Sequence, residues 1–279
     1  MSEIKIKTMT PADIDFTLAL TGAEQWSNVR ADFARLIALD TDGCFVADLD
    51  NDRVGMITTV CYRSLAFIGN LIVSSDRRGH GIGRKLMEHA LTYLDRKMVE
   101  TIELDGDYPA VTFYRTLGFK DKYLSLRFFR GRGDRPPALP PPTLTPDEFA
   151  AFDSELGGID RSAFIKMYAG DNRDRLYAGR DRDGRINAAL AIKEGPHGAC
   201  QIGPLGARNS DQARELFENI LVHFSSETVY FGMPEINREA VSMALENGFL
   251  YNPPSLRMYR GRYLDHEANS YAIISGDVG

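Results

Sequence analysis

The sequence predicts an α/β chain built twice over, and three observations carry that prediction. Strand-like segments alternate with segments of helical periodicity. The alternation recurs after an offset of 130 residues, and a proline-rich stretch separates the two runs. Gly118-Phe119 returns as Gly248-Phe249, Ser125-Leu126-Arg127 as Ser255-Leu256-Arg257, and Arg130-Gly131 as Arg260-Gly261. Seven of the fourteen positions in 118–131 and 248–261 are identical, which chance does not explain. Both copies open alike: Thr10-Pro11-Ala12-Asp13 and Thr145-Pro146-Asp147-Glu148 each read as a capping residue, proline at the first helical position and an acid in the first turn. Six of the thirteen prolines fall in 136–146, a stiff extended connector. The expected organisation is therefore a first domain at 1–133, a linker at 134–146 and a second domain at 147–279.

Each element has a local reason. A helix is expected from about Pro11 to Leu20 and another from about Asn28 to Leu39, capped by Ser27. Cys44 to Asp48, Arg53 to Tyr62 and Leu65 to Ser74 are rich in β-branched and aromatic residues and read as strands, with Asp50-Asn51-Asp52 as a turn. From Ile82 onward, apolar Ile82, Leu86, Met87, Ala90, Leu91 and Leu94 share one helical face. A strand near Thr101 to Leu104, a helix near Pro109 to Leu117 and a strand near Tyr123 to Arg130 complete the first copy. The second copy repeats the order with a helix near Asp211 to Phe224, a strand near Glu227 to Phe231, a helix near Asn237 to Glu246 and a strand near Leu256 to Arg260.

Composition removes several function classes. With 279 residues, 43% of them hydrophobic and 26% charged, the chain has enough apolar material for two ordinary cores. Its formal net charge of -6 argues against a nucleic-acid partner, which requires a basic face. The start MSEIKIKTMT lacks the apolar core of a signal peptide, and no stretch reaches the ~20 apolar residues of a membrane span. A cytoplasmic protein without a membrane partner is expected. Cys44, Cys61 and Cys200 lie too far apart for a CxxC metal site and read as reduced thiols, so no metal is expected.

The sharpest local feature is the glycine-rich turn Val73-Ser74-Ser75-Asp76-Arg77-Arg78-Gly79-His80-Gly81-Ile82-Gly83-Arg84 between a strand and an amphipathic helix. N–H groups at a helix start lack intrahelical partners, the helix dipole adds partial positive charge, and glycine lets the main chain approach a phosphate. Arg77, Arg78, Arg84 and Lys85 supply charge. A dinucleotide fingerprint would need glycine where Arg84 stands, and no Lys-Ser or Lys-Thr pair follows for a Walker loop.

Arg78, Gly81 and Gly83 resemble the coenzyme motif of the GNAT acetyltransferase superfamily: Gln or Arg, two residues, Gly, one residue, then Gly or Ala. The stretch from Asp107 through Ala110 and Phe113-Tyr114 to Gly118-Phe119 resembles its second signature, with Asp107 in place of the usual Asn. The segment holding Trp26, Asp32 and Gly43-Cys44-Phe45-Val46-Ala47 is similar to a bacterial subgroup with two fused GNAT domains. The resemblance implies, for each domain, a mixed, twisted sheet flanked by helices, whose central strands splay apart around pantetheine. It also implies acetyl-CoA as co-substrate, with Leu71, Ile72 and Val73 along pantetheine, Arg78, Gly79, His80, Gly81, Ile82, Gly83 and Arg84 around the diphosphate, and Phe113 and Tyr114 nearby. Tyr114 would protonate the departing thiolate, Asp105 or a water relay would take the amine proton, and Glu24 and Trp26 would line the acceptor side.

In the second copy Arg78 corresponds to Arg208, but Gly81 corresponds to Asp211, Gly83 to Ala213 and Tyr114 to Ala244. A carboxylate in an anion cradle is repulsive, so this copy is expected to be degenerate. The expected reaction moves an acetyl group from acetyl-CoA to a primary amine of a small molecule or peptide. A longer-chain acyl donor and a non-catalytic acyl-CoA sensor are the alternatives, and both a monomer and a homodimer remain open.

Overall fold

The computed structural model describes residues 3–131, 140, 143–224 and 227–279. Most of the expected linker lies outside these residues. The chain divides into two compact units. Unit 1 holds the chain up to Leu104 together with Tyr259–Arg262 and Val278; unit 2 holds Asp105–Met258, Tyr263–Asp277 and Gly279. The fold is α/β, with mixed sheet and flanking helices.

In unit 1 the elements run β1 (Ile4–Thr8), α1 (Ile14–Ala23), α2 (Arg30–Leu39), β2 (Cys44–Leu49), β3 (Asp52–Tyr62), β4 (Leu65–Val73), α3 (Ile82–Arg96) and β5 (Thr101–Gly106), whose last two residues pass into unit 2. Strands β1 to β4 pair antiparallel in sequence order, and β5 joins β4 in parallel. The β2–β3 turn works because Asp50 and Asn51 take positive φ of 51° and 74°, the twist that a two-residue hairpin needs. The expected stripe of α3 is buried in full: Ile82, Leu86, Met87, Ala90, Leu91 and Leu94. Each large side chain of that stripe contributes about 1.5–3 kcal/mol to docking the helix.

Capping follows expectation at Thr10-Pro11-Ala12-Asp13 and differs at α2. Pro11–Asp13 form a 3₁₀ turn before α1, with the Asp13 carboxylate accepting from Thr10 N at 2.7 Å. Helix α2 starts at Arg30 because Asp32 accepts the Val29 N–H at 2.9 Å, so Ser27 does not cap it.

Unit 2 contains α4 (Tyr108–Thr116), β6 (Lys120–Arg130), α5 (Pro146–Gly157), α6 (Ser162–Asp171), β7 (Leu176–Arg180), β8 (Ile186–Glu194), β9 (Cys200–Ala207), α7 (Ser210–Leu221), β10 (Val229–Pro234), α8 (Arg238–Glu246), most of β11 (Leu250–Gly261), and β12 (Ser270–Ala272). Strands β7, β8 and β9 pair antiparallel, β10 joins β9 in parallel, and β6 pairs antiparallel with β10. Its core includes Leu190, Ile202, Leu205, Phe217, Phe231 and Met243.

The compact units therefore do not coincide with the sequence copies. The last strand of the first copy, β6, pairs with β10 of the second. The end of β11 counts with unit 1, where Arg262 N donates to Glu100 O at 3.1 Å and Thr101 Oγ1 donates to Arg262 O at 2.7 Å. Gly261 is required there: a Cβ would stand 2.1 Å from Glu100 O.

Candidate active site

Strand β4 leaves its neighbour part-way along. Its pairing with β5 covers Leu65–Phe67, whereas its pairing with β3 runs on to Val73. A register shift opposite Met56–Thr58 coincides with Asn70, which is buried at φ 50° and donates from Nδ2 to Thr58 Oγ1 at 3.0 Å. This bulge bends Leu71, Ile72 and Val73 away from a straight ladder. Beyond β4, residues 74–81 form the loop before α3.

The loop's shape depends on its glycines. Gly79 and Gly81 take φ of 80° and 79°, and a Cβ on either would meet nothing within 4 Å. Conformation therefore sets the demand for glycine, since nothing crowds these positions. Gly81 is the N-cap of α3 without a side-chain cap, and the first turn carries no acid. The helix start thus presents main-chain N–H groups and the positive end of the dipole, worth about half a charge. That arrangement fits a coenzyme diphosphate. The side-chain cations are less committed to it: Arg77 pairs with Asp76 at 3.2 Å, Arg84 with Glu88 at 3.8 Å, and Arg78 with Glu24. Arg78 also donates from Nε to Val73 O at 3.0 Å, and His80 Nδ1 lies 2.9 Å from Arg78 O. The structure thus joins two expected site residues, Glu24 and Arg78, directly. Trp26 is half-buried beyond α1 and donates its main-chain N–H to Thr21 O at 2.9 Å.

Unit 2 holds the other expected residues. Tyr114 on α4 is buried, with its ring 5.4 Å from Phe113 and 6.2 Å from Phe119. A Cβ on Gly106 would stand 3.1 Å from Tyr114 Cδ2, so this glycine makes room for the phenol. Burial, and then the negative charge of Asp107, push the Tyr114 hydroxyl above its ordinary pKa of about 10. Asp107 precedes α4 without capping it and lies 3.8 Å from Arg127. Asp105 is buried in an ion pair with Arg257 Nε at 2.6 Å and accepts a hydrogen bond from Ser255 Oγ at 3.1 Å. Ser255 in turn accepts from Arg127 Nη2 at 3.1 Å. The repeated Ser-Leu-Arg triplets signalled the duplication; that Arg257 and Ser255 hold Asp105 is something only the fold reveals.

Two models with the description "Acetyltransferase (GNAT) domain" match this chain, one over residues 40–121 and the other over 149–272. The chain belongs to the GNAT acetyltransferases, with two such domains in tandem. It is 26% identical over 265 residues to the holothin acyltransferase of Pseudoalteromonas sp. (strain SANK 73390), spanning 92% of this chain and 88% of that protein. Among solved structures, a GCN5-related N-acetyltransferase from Sphaerobacter thermophilus aligns with TM-score 0.65 at 14% identity, covering 94% and 97% of the two chains. A tandem GNAT protein from the clavulanic acid biosynthesis pathway aligns with TM-score 0.63 at 16% identity, covering 94% and 100%. Acyl-CoA is the co-substrate of the GNAT family, and the uncapped start of α3 suits it.

The second GNAT domain lacks that feature. Only residues 208–209 separate β9 from α7, where 74–81 separate β4 from α3. Asn209 caps α7 by accepting from Gln212 N at 3.0 Å, and Asp211 occupies the first turn. One N–H group at this helix start, that of Gln212, is thus satisfied by the chain's own side chain.

Proposed function

We propose that this chain transfers an acetyl group from acetyl-CoA to a primary amine of a small molecule or peptide, in the cytoplasm, using the first GNAT copy for coenzyme binding. The observation that carries the reading is the uncapped start of a 15-residue helix, reached through two left-handed glycines from a strand that leaves its partner. Bound acetyl-CoA supplies the activated acyl group. The chain's own residues do the rest: Leu71, Ile72 and Val73 offer main-chain groups along pantetheine, and Gly79, His80, Gly81, Ile82, Gly83 and Arg84 surround the diphosphate. Arg78 is assigned to the same diphosphate, which requires exchange of its Glu24 partner. N–H groups of β4 steady the negative charge that develops on the acyl oxygen. Tyr114 gives its proton to sulfur as the C–S bond breaks and the C–N bond forms, and its raised pKa keeps it protonated at neutral pH. Phe113 supports that ring.

Asp105 is committed to Arg257 and Ser255, which favours a water relay for the amine proton over direct abstraction by Asp105. Glu24 and Trp26 are assigned to the acceptor, by charge and by cation–π contact. The holothin acyltransferase, similar over nearly the whole chain, supports an acyltransferase. A longer acyl donor is a second enzyme reading that the same relative's name accommodates. Free-thiol release from acetyl-CoA across an amine panel tests the proposal. Turnover with at least one amine supports catalysis; tight coenzyme binding without turnover against any amine would identify a sensor instead.

A further inference from the structure

In unit 2 the opening that corresponds to the coenzyme cleft is filled by the chain itself. The parallel pairing of β9 with β10 ends at Ile202↔Phe231, so these strands part as β4 and β5 do. Into that gap comes the segment 269–274. Strand β12 pairs antiparallel with β9, Ser270 opposite Gly206 and Ala272 opposite Leu205. Ala207 N donates to Asn269 O at 3.3 Å on one side, and Ile273 N donates to Gly232 O of β10 at 2.9 Å on the other. Asn237, the cap of α8, donates from Nδ2 to Ser270 O at 2.8 Å, and Gln201 Nε2 donates to Ile274 O. Tyr271, Ala272 and Ile274 are buried.

The strand ends align this with the first copy. As β4 ends at Val73 and β9 at Ala207, Leu71, Ile72 and Val73 correspond to Leu205, Gly206 and Ala207, the positions that β12 and Asn269 pair with. Gly203 is shaped for the segment: its φ is 154°, and a Cβ there would stand 2.1 Å from Ile273 O. Gly232 faces the Ile273 side chain, 3.5 Å from where a Cβ would stand. Gly203 on β9 thus clears the path of the extended segment, while a Cβ at Gly232 on β10 would make only ordinary contact with it.

We propose that residues 269–274 are a self-supplied occupant of the second domain's cleft, taking the place that pantetheine takes in a working GNAT domain and leaving each chain one coenzyme site. The assignment of that place rests on the functional reading above; the occupancy itself rests on hydrogen bonds and burial. The segment bridges β9 and β10 as an added strand does, so it also completes the unit's backbone hydrogen bonding.

Hydrogen exchange measured by mass spectrometry on the full chain, with and without acetyl-CoA, tests this, alongside calorimetric stoichiometry. In the wild type, peptides covering 268–276 are expected to exchange at least ~100-fold slower than unstructured chain, unchanged by saturating acetyl-CoA, which protects 70–84 instead. Binding is expected at one coenzyme per chain. Gly203→Ala is expected to raise exchange over 268–276 at least ~10-fold while the footprint on 70–84 persists. Unprotected 268–276 in the wild type, a rise in its exchange on adding acetyl-CoA, or two coenzymes per chain would overturn the proposal. Should Gly203→Ala not fold, the wild-type exchange decides. Absence of any footprint on 70–84 would sink the coenzyme reading alone, because protection of 268–276 is read without ligand.

Discussion

In the proposed mechanism Tyr114 gives the proton to sulfur, and its environment makes a specific kinetic prediction. Tyr114→Phe keeps the packing against Phe113, Phe119 and Gly106 and deletes only the hydroxyl, so turnover should fall about 10²–10⁴-fold with coenzyme affinity and melting temperature nearly unchanged. Because burial and Asp107 raise its pKa, the phenol stays protonated below its ordinary value of about 10. Steady-state rates from pH 7 to 9 should therefore differ between wild type and Tyr114→Phe by a constant factor. A factor that changes across that range would assign the proton to another group. Cys61 offers an independent check on local electrostatics. Burial, reinforced by Asp40, pushes its thiol up to about 11, so little reactive thiolate exists near neutrality. Alkylation by iodoacetamide, followed by intact mass, should be slow at pH 7 and accelerate steadily with rising pH toward that value.

At the scale of elements, two helices with the same apolar face begin differently, one without a side-chain cap and one on a side-chain cap. Helix α3 starts uncapped after an eight-residue loop, while α7 starts on the Asn209 cap two residues after its strand. The apolar stripe of α3, a turn at Asp50-Asn51-Asp52 and the glycine-rich loop were legible in the sequence, because each is set by side-chain periodicity or by backbone conformation within a few residues; the structure narrows the turn to two residues, with β3 starting at Asp52. The acid at Asp211 was legible in the sequence, but the cap was not: α7 begins on Asn209, the position that Gly81 holds before α3. Segment 269–274 was not: it carries no repeat counterpart in the first copy, and its partners on β9 and β10 lie far away in sequence. Asp105 was visible as a strand-end acid, but its ion pair with Arg257 joins residues too distant for any local signal. One element-scale prediction concerns Gly106, at the end of β5. Gly106→Ala would press a methyl against Tyr114 Cδ2, and kcat should fall several-fold while KM for acetyl-CoA stays near wild type. Unchanged kcat would mean that the ring's placement is immaterial to turnover.

Across the whole molecule, the two sequence copies exchange strands: β6 of the first pairs with β10 of the second, and Tyr259–Arg262 of the second counts with unit 1. Residues 1–133 expressed alone would lack the Arg262 partner of Glu100 and Thr101 and would leave β6 without β10. Such a fragment should show no sharp, cooperative melting transition by circular dichroism, in contrast to the full chain. The claim beneath the functional reading is that the main chain from Gly79 to Gly83 holds a coenzyme diphosphate, and Gly81→Asp probes it most directly. Aspartate tolerates the left-handed backbone of Gly81 better than most residues do, so the fold should survive. Calorimetric titration of coenzyme A against wild type and Gly81→Asp should show affinity reduced at least about tenfold, one site per chain in the wild type, and an unchanged melting temperature. Equal affinity in the two proteins would contradict the account.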